Sequence, residues 1–505
     1  MADVLLTHSY HLPYDRKQVR KMQPYPPLGT LYAASVLRQA GISVAIFDSM
    51  LDEPESGFRK ALRTHSPKIV AIYEDDFNFL TKMCLTRMRE VAFGMIYEAR
   101  KAGARVIVHG SDATDHAIDY LRQGCEFVLI GEAEQSLLEL IQEIRENRDG
   151  RRVPGVATLE RSGSKEVLHT QKPAAPRSFT GFPLPARNLI DISKYRDAWR
   201  SAHGTFSLNL IASRGCPFRC NWCAKPIFGD NFHARPAYEV AQEMHHLKNV
   251  YGAEHLWFAD DIFALNRHWT EQFAREVKKR NAAVPFKIQA RADLLSAGTA
   301  QSLAVAGCAE VWMGVESGSQ KILDAMDKGL QVEEVLSARQ HLRQEGIRAC
   351  YFIQFGYPGE SWDDVRQTIA LVRETRPDDI GVSLSYPLPN TRFYERVRQQ
   401  LGSKQNWSDS EDLCVMFKGA YTDTFYRAIR DALHAEVDSF NRSKSRKSVH
   451  ELNQLWQRVH SLEPVSRNAD ATELAVPERA ASHCTSQPES RLIPVQGLLS
   501  SVGEA

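Results

Sequence analysis

Two runs of alternating strand-like and helix-like segments, separated by a proline-rich stretch, restrict this 505-residue chain to an α/β fold with more than one domain. In the first run, Val4 to His8, Ser43 to Asp48, Lys68 to Tyr73, Arg105 to Gly110 and Phe127 to Gly131 are short and β-rich. Amphipathic stretches separate them, so residues 1–145 predict a parallel sheet flanked by helices. Pro26 to Thr30 opens a helix expected over Leu31 to Gln39, which Gly41 closes. Such sheets bind ligands beyond the carboxyl ends of their strands. Here those ends are Pro27 to Gly29, Glu74 to Asp76, Gly110 to Thr114 and Gly131 to Glu134.

Residues 146–200 turn to loops and short strands broken by Pro154, Pro173, Pro176, Pro183 and Pro185, and read as a connector. The second run, within residues 201–420, places strands at Phe206 to Ser213, His255 to Ala259, Pro285 to Ala290, Glu310 to Val315, Arg348 to Phe355 and Asp379 to Ser385. Six strands in βα order predict a partial barrel with its site at the strands' C-terminal ends. Those ends carry Asp260, Asp261, Gln289, Arg291, Gly314, Glu316, Ser317, Gln354, Gly356 and Ser385. Tyr351, Phe352, Phe355 and Tyr357 read as packing for one barrel strand. Residues 421–505 read as a helical extension, with one helical stretch at Val449 to His460 and a disordered tail from Leu462 onward. The basic run Arg442 to Lys447 reads as a solubilising patch.

The chemistry is concentrated in one loop. Cys216, Cys220 and Cys223 follow the first strand of the second run at Cys-x3-Cys-x2-Cys spacing. Three thiolates leave one iron of a [4Fe-4S] cluster open, whereas an electron-transfer cluster normally takes four. The spacing therefore predicts substrate chemistry at iron. A structural zinc site would want a second Cys or His pair, and the next histidines are His233, His245 and His246. Inert core cysteines are the other alternative. The remaining cysteines, Cys84, Cys125, Cys308, Cys350, Cys414 and Cys484, are scattered and read as ordinary core or surface residues.

A hydrophobic content of 43% with 25% charged residues is that of a globular protein, and a net charge of +1 gives no electrostatic case for nucleic acid. No apolar run reaches the roughly 20 residues of a membrane span, and the N-terminus lacks a signal-peptide profile. A cytoplasmic protein is expected.

The cysteine loop, with Trp222 directly before its last cysteine, and the segments Pro26 to Tyr32, Gly110 to Thr114 and Gly131–Glu132 together resemble the radical S-adenosylmethionine (radical SAM) enzymes that carry an N-terminal cobalamin-binding domain. They are similar to the cobalamin-dependent methyltransferases and to the anaerobic magnesium-protoporphyrin IX monomethyl ester cyclases. The resemblance covers about residues 1–420. It implies an α/β chain with a Rossmann-like (flavodoxin-like) cobalamin-binding domain followed by a partial (β/α)6 TIM-type radical SAM barrel. It further implies that Cys216, Cys220 and Cys223 ligate a [4Fe-4S] cluster whose open iron is chelated by S-adenosylmethionine. By position, Asp260, Gln289, Arg291 and Glu316 become candidate contacts to that molecule, beside Trp222. Each is equally an ordinary polar group at a barrel rim.

The Asp-x-His-x-x-Gly signature of many cobalamin proteins is absent, and His116 follows Asp115 without that frame, so His116 reads as a surface helix residue. Cobalamin is then expected without a histidine below cobalt, the corrin lying against Leu28, Gly29, Ser111, Gly131 and Glu132. A degenerate domain that binds nothing is the alternative. Asp75 and Asp76 read as a solvated loop or as partners of a corrin amide. The implied reaction is methylation of an unactivated carbon of a small molecule, with an external flavodoxin or ferredoxin as electron donor. Radical cyclisation or oxidation of a porphyrin-like substrate, or a non-catalytic cobalamin or redox sensor, are the competing readings.

Overall fold

The chain is described by a computed structural model over residues 2–77, 86–163, 165–174, 182–402, 413–440, 447–468 and 471. Cys84, Cys484, most of the basic run at 442–447 and the tail beyond residue 471 lie outside the described residues.

The first sheet is built from β1 (Val4–Thr7), β2 (Val44–Phe47), β3 (Ile69–Tyr73), β4 (Arg105–His109) and β5 (Phe127–Leu129), parallel and in the order β2-β1-β3-β4-β5. That is the flavodoxin-like order, with a switch point between β1 and β3. Helices cover both faces, which is why Val-Leu-Leu-Thr in β1 is apolar on successive residues and buried throughout. The sheet also extends into the segment read as a connector: β6 (Val156–Ser162) pairs antiparallel with β5, and β7 (Lys165–Thr170) pairs antiparallel with β6. After a short helix at Arg16–Lys21, the helix expected from Leu31 begins at Leu28, three residues earlier. Leu31 N–H already bonds Pro27 O, so the prolines end the loop and the turn starts behind them.

The second sheet comprises β8 (Ser207–Leu210), β11 (His255–Phe258), β12 (Phe286–Ala290), β13 (Cys308–Glu316), β14 (Arg348–Phe355) and β15 (Asp379–Leu384). All six run parallel in sequence order, with β8 and β15 at the edges, so the barrel is open on one side. In β11, Leu256 and Phe258 are fully buried toward the helices while His255 and Trp257 on the opposite face are half-buried. β12 repeats the pattern, with Lys287 and Gln289 half-buried between buried neighbours. Phe352 shares it: its ring stacks on Trp312, whereas Tyr351, Phe355 and Tyr357 are buried. A two-stranded hairpin, β9 (Ser213–Arg214) with β10 (His233–Ala234), closes the cysteine loop.

Two helices, Asp423–Phe440 and Val449–Ser466, follow the barrel. The second continues past Leu462, where disorder was expected. Glu463 there is buried and accepts a 2.7 Å hydrogen bond from Tyr421 Oη, and Arg467 pairs with it, so tertiary partners extend the helix beyond its apolar pattern.

The sheet and barrel are joined by the Pro24–Pro27 segment. Tyr25 packs against Trp199 and Trp257 at 5.2 and 4.7 Å and shares a 3.1 Å hydrogen bond with Ser207. Trp199 Nε1 donates to Pro24 O and Asn209 Nδ2 to Pro26 O, at 2.6 and 2.8 Å. No helix among the described residues is long and apolar enough to cross a membrane.

Candidate active site

The cysteine loop leaves β8 at the C-terminal end of the barrel, and its conformation is enforced from several sides. Gly215 sits at φ 76°, and a Cβ there would overlap Asn231 O, so only glycine allows the hairpin to approach this closely. Gly215 N–H donates to Asp261 Oδ2 at 3.1 Å. Lys225 Nζ donates to Cys216 O and Phe218 O at 2.9 and 2.6 Å and pairs with Asp230, folding the loop back on itself. Asn221 locks the far side: its Nδ2 donates to Ala325 O and Asp327 Oδ2, and its Oδ1 accepts from Tyr357. Phe393 N–H donates to Asn221 O, and Arg392 donates to Arg219 O.

Cys216, Cys220 and Cys223 are half-buried free thiols on this frame. Burial raises the Cys216 thiol, and burial with the neighbouring Cys220 pushes Cys223 up to about 12. Three thiolates together thus require a cationic partner to be stable. Among the described residues, no three His, Cys, Asp or Glu side chains converge as a single metal ion requires. A [4Fe-4S] cluster would take each thiolate on a different iron and so would not require the three to meet at one ion. Cys308 and Cys350 are buried in the barrel and away from this loop in sequence and element.

The other residues singled out above are distributed as follows. Asp260 is buried, accepts from Ala212 N–H at 3.0 Å and from the Ser213 hydroxyl, and is pushed up to about 7 by burial. It therefore holds the start of the cysteine loop. Arg291 bonds Asp293, Lys328 O and Gly329 O, and its guanidinium lies 3.8 Å from the Phe218 ring centroid. Glu316, at φ 61° beside a bulge, accepts from Lys328 Nζ at 2.8 Å. Gln289 is half-buried on the barrel's inner face. Trp222 is half-buried with its Nε1 lacking a partner. Gln354 Oε1 and Ser385 Oγ, at the ends of β14 and β15, are likewise buried without partners. Buried polar atoms are normally satisfied, so three orphans at one barrel mouth fit a polar ligand there.

At the facing edge of the first sheet, Leu28 and Gly29 are buried beneath chain rather than open. Gly29 N–H donates to Asp75 Oδ1 at 3.0 Å, and a Cβ on Gly29 would sit 2.7 Å from Glu74 O. Asp75 and Asp76 are each 2% exposed, which corrects the expectation of a solvated loop: they bind the helix start and the Ser111 hydroxyl. Gly131, at φ 74°, accepts from His109 Nε2 at 2.8 Å. That bond makes Nε2 a donor, the ring stacks on Tyr73, and Nδ1 lies 3.2 Å from Asp76 Oδ2, while burial lowers the ring's pKa to about 4, so His109 is a structural residue held on both nitrogens. His116 lies between two short helices, near Asp112 and Asp119. Tyr32 Oη and Thr114 Oγ1, on the helices after β1 and β4, are buried polar atoms without partners. This edge, small-residued and with the Thr114 hydroxyl unpartnered, fits a flat amide-bearing group laid on the chain, while Tyr32 is buried in the charged core with Arg187, Arg214, Arg235 and Glu243 and direct contacts to Leu28 and Gly29 are taken by the protein itself.

Glu132 does not point to an open edge. It and Glu134 pair with Arg214, whose guanidinium carbon lies 4.9–5.6 Å from the ring centroids of Phe182, Phe77, Phe228 and Tyr32. Sequence reading assigned Arg214 no role; nothing in its local pattern signals a partner some 80 residues away.

Residues 210–372 match the radical SAM superfamily. A protein of Pyrococcus horikoshii named as an uncharacterized methyltransferase is 24% identical over 389 residues, covering 76% of this chain and 81% of that one. The anaerobic magnesium-protoporphyrin IX monomethyl ester cyclase of Rubrivivax gelatinosus is 24% identical over 403 residues, covering 77% and 68%. The structure of the radical S-adenosylmethionine methyltransferase TsrM from Kitasatospora setae, with cobalamin and a [4Fe-4S] cluster bound, superposes with a TM-score of 0.65 at 21% identity, covering 81% of this chain and 80% of that one. The likeness is one of fold, which in this chain comprises a flavodoxin-like sheet and a partial barrel.

Proposed function

We propose that this protein is a cobalamin-dependent radical SAM methyltransferase that methylates an unactivated carbon of a small molecule. The observation that carries the reading is the placement of three half-buried cysteines, on a loop pinned from both ends, between the barrel mouth and the ligand edge of a flavodoxin-like sheet. When bound, the cluster with S-adenosylmethionine supplies a carbon-centred radical and cobalamin supplies the methyl group.

The chain's own residues hold and shield these groups. Cys216, Cys220 and Cys223 are the cluster ligands. Trp222, Gln289, Gln354 and Ser385 line the mouth and bind the polar parts of S-adenosylmethionine or substrate. Glu316 and Arg291 shape its wall through Lys328 and Phe218, and Asp260 positions the loop. Ser111, Gly131 and Thr114 would form the cobalamin side, with His109 held by Gly131 and Asp76. The domains assigned are a cobalamin-binding unit from residue 1 to about 170, the barrel from about 201 to 420, and the helices that follow. An external one-electron donor and a cytoplasmic, reducing setting complete the proposal.

The test is anaerobic reconstitution with iron, sulfide and cobalamin, followed by incubation with S-adenosylmethionine and a reductant and by mass spectrometry. Methyl transfer yields 5'-deoxyadenosine together with S-adenosylhomocysteine; a chain producing neither is not this enzyme. Similarity to the magnesium-protoporphyrin cyclases supports a second reading, radical cyclisation or oxidation, for which 5'-deoxyadenosine would form alone.

A further inference from the structure

Arg214 is separated from the first cluster cysteine by Gly215 alone, and its side chain is 2% exposed. One guanidinium nitrogen donates to Glu132 and the other to Glu134 Oε1, the latter at 2.5 Å. Both carboxylates belong to the turn and helix start that follow β5, which is a strand end of the first sheet. The four rings around the guanidinium come from the helix after β1, the loop after β3, the segment preceding the barrel and the loop after the cysteines. Arg214 and Glu134 are buried while Glu132 is 20% exposed, so the Arg214–Glu134 charges interact in a lower dielectric than the Glu132 arm of the fork. A planar fork bridges two separate carboxylates, whereas an ammonium is a point charge that cannot reproduce both geometries. The same loop start is fixed to the barrel by Asp260 and Asp261.

We infer that Arg214 is a positioning residue that locks the cysteine loop onto the ligand edge of the first sheet, and so sets the spacing between the two cofactor sites. The part of this that concerns cofactors rests on the reading under Proposed function; the lock itself does not.

R214M, R214K and E134Q are compared with the wild type. In the cofactor-free chain, hydrogen exchange is expected to rise about tenfold or more in R214M at both residues 131–136 and 215–225, with the strands of each sheet unchanged. E134Q keeps an acceptor oxygen but removes one charge of the buried pair, and both it and R214K are expected to fall between wild type and R214M. In the anaerobically reconstituted holoenzyme, R214M keeps its iron, while the magnetic interaction between cob(II)alamin and the reduced cluster, read by electron paramagnetic resonance, is broadened or lost. Wild-type exchange at both loops in R214M overturns the inference, as does a rise spread evenly over the chain, which would mean Arg214 only stabilises the fold. Should R214M not fold, R214K decides, and wild-type exchange in that variant is the overturning result. A wild-type protein that binds no cobalamin defeats the proposed function, while the exchange experiment still decides the role of Arg214.

Discussion

Each candidate cluster ligand occupies a position that no other residue of the loop can replace, because Lys225 and Asn221 fix the backbone between them. Changing Cys216, Cys220 or Cys223 to Ala is expected to remove most of the bound iron after reconstitution and to abolish 5'-deoxyadenosine formation. Ala at Cys308 or Cys350 should leave iron content unchanged, since both are core packing residues. Iron analysis separates the two groups. At His109, substitution by Ala should leave the cobalt resonance free of any change in axial nitrogen coupling, because the ring serves Gly131 and Tyr73. Disappearance of such a coupling would place His109 below cobalt. Glu360 offers a pH test: burial pushes its carboxyl from an ordinary 4.5 up to about 8, so the folded chain binds a proton there that the unfolded chain releases. Its stabilisation is complete below about pH 4.5 and lost as pH rises through about 8. E360Q, uncharged at all pH, should therefore gain thermal stability relative to wild type progressively across that interval, measured as the difference in Tm.

Elements place these residues through backbone geometry that only some side chains permit. The hairpin of β9 and β10 brings Gly215 against Asn231, and G215A, strained both by its φ and by the overlap, is expected to distort the cysteine loop and cut iron incorporation several-fold with the barrel still folded. Circular dichroism alongside iron analysis checks this. The helix from Leu28 was legible apart from its first turn, since local pattern shows the apolar stripe but not how a Pro-Pro pair seats against the next residues. Strands β6 and β7 were not legible as part of the first sheet. β6 pairs antiparallel with β5 and β7 antiparallel with β6, at the sheet's edge, and β7 is exposed throughout, so no burial pattern marked it.

At the scale of the whole molecule, Tyr25 joins sheet and barrel through an aromatic and hydrogen-bonded contact with Trp199, Trp257 and Ser207. Y25A should destabilise the chain by roughly 3 kcal/mol, as for other large buried aromatics. Calorimetry is expected to show a lower Tm and a tendency for the single transition to separate into two. The sequence by itself determined the βα repeats and the order of the two units, because periodic burial is a local property of the chain. It also determined the three thiols of the cluster loop, whose spacing needs no tertiary context to be read. Only the tertiary structure decided that Asp260 serves the loop, that Asp75 and Asp76 are buried, and that Glu132 answers to Arg214 rather than to an open edge. Those outcomes depend on which carboxylate finds which donor across 35 to 82 residues. Desolvation makes that choice when the two units close on each other, and a residue's sequence neighbours carry no record of it.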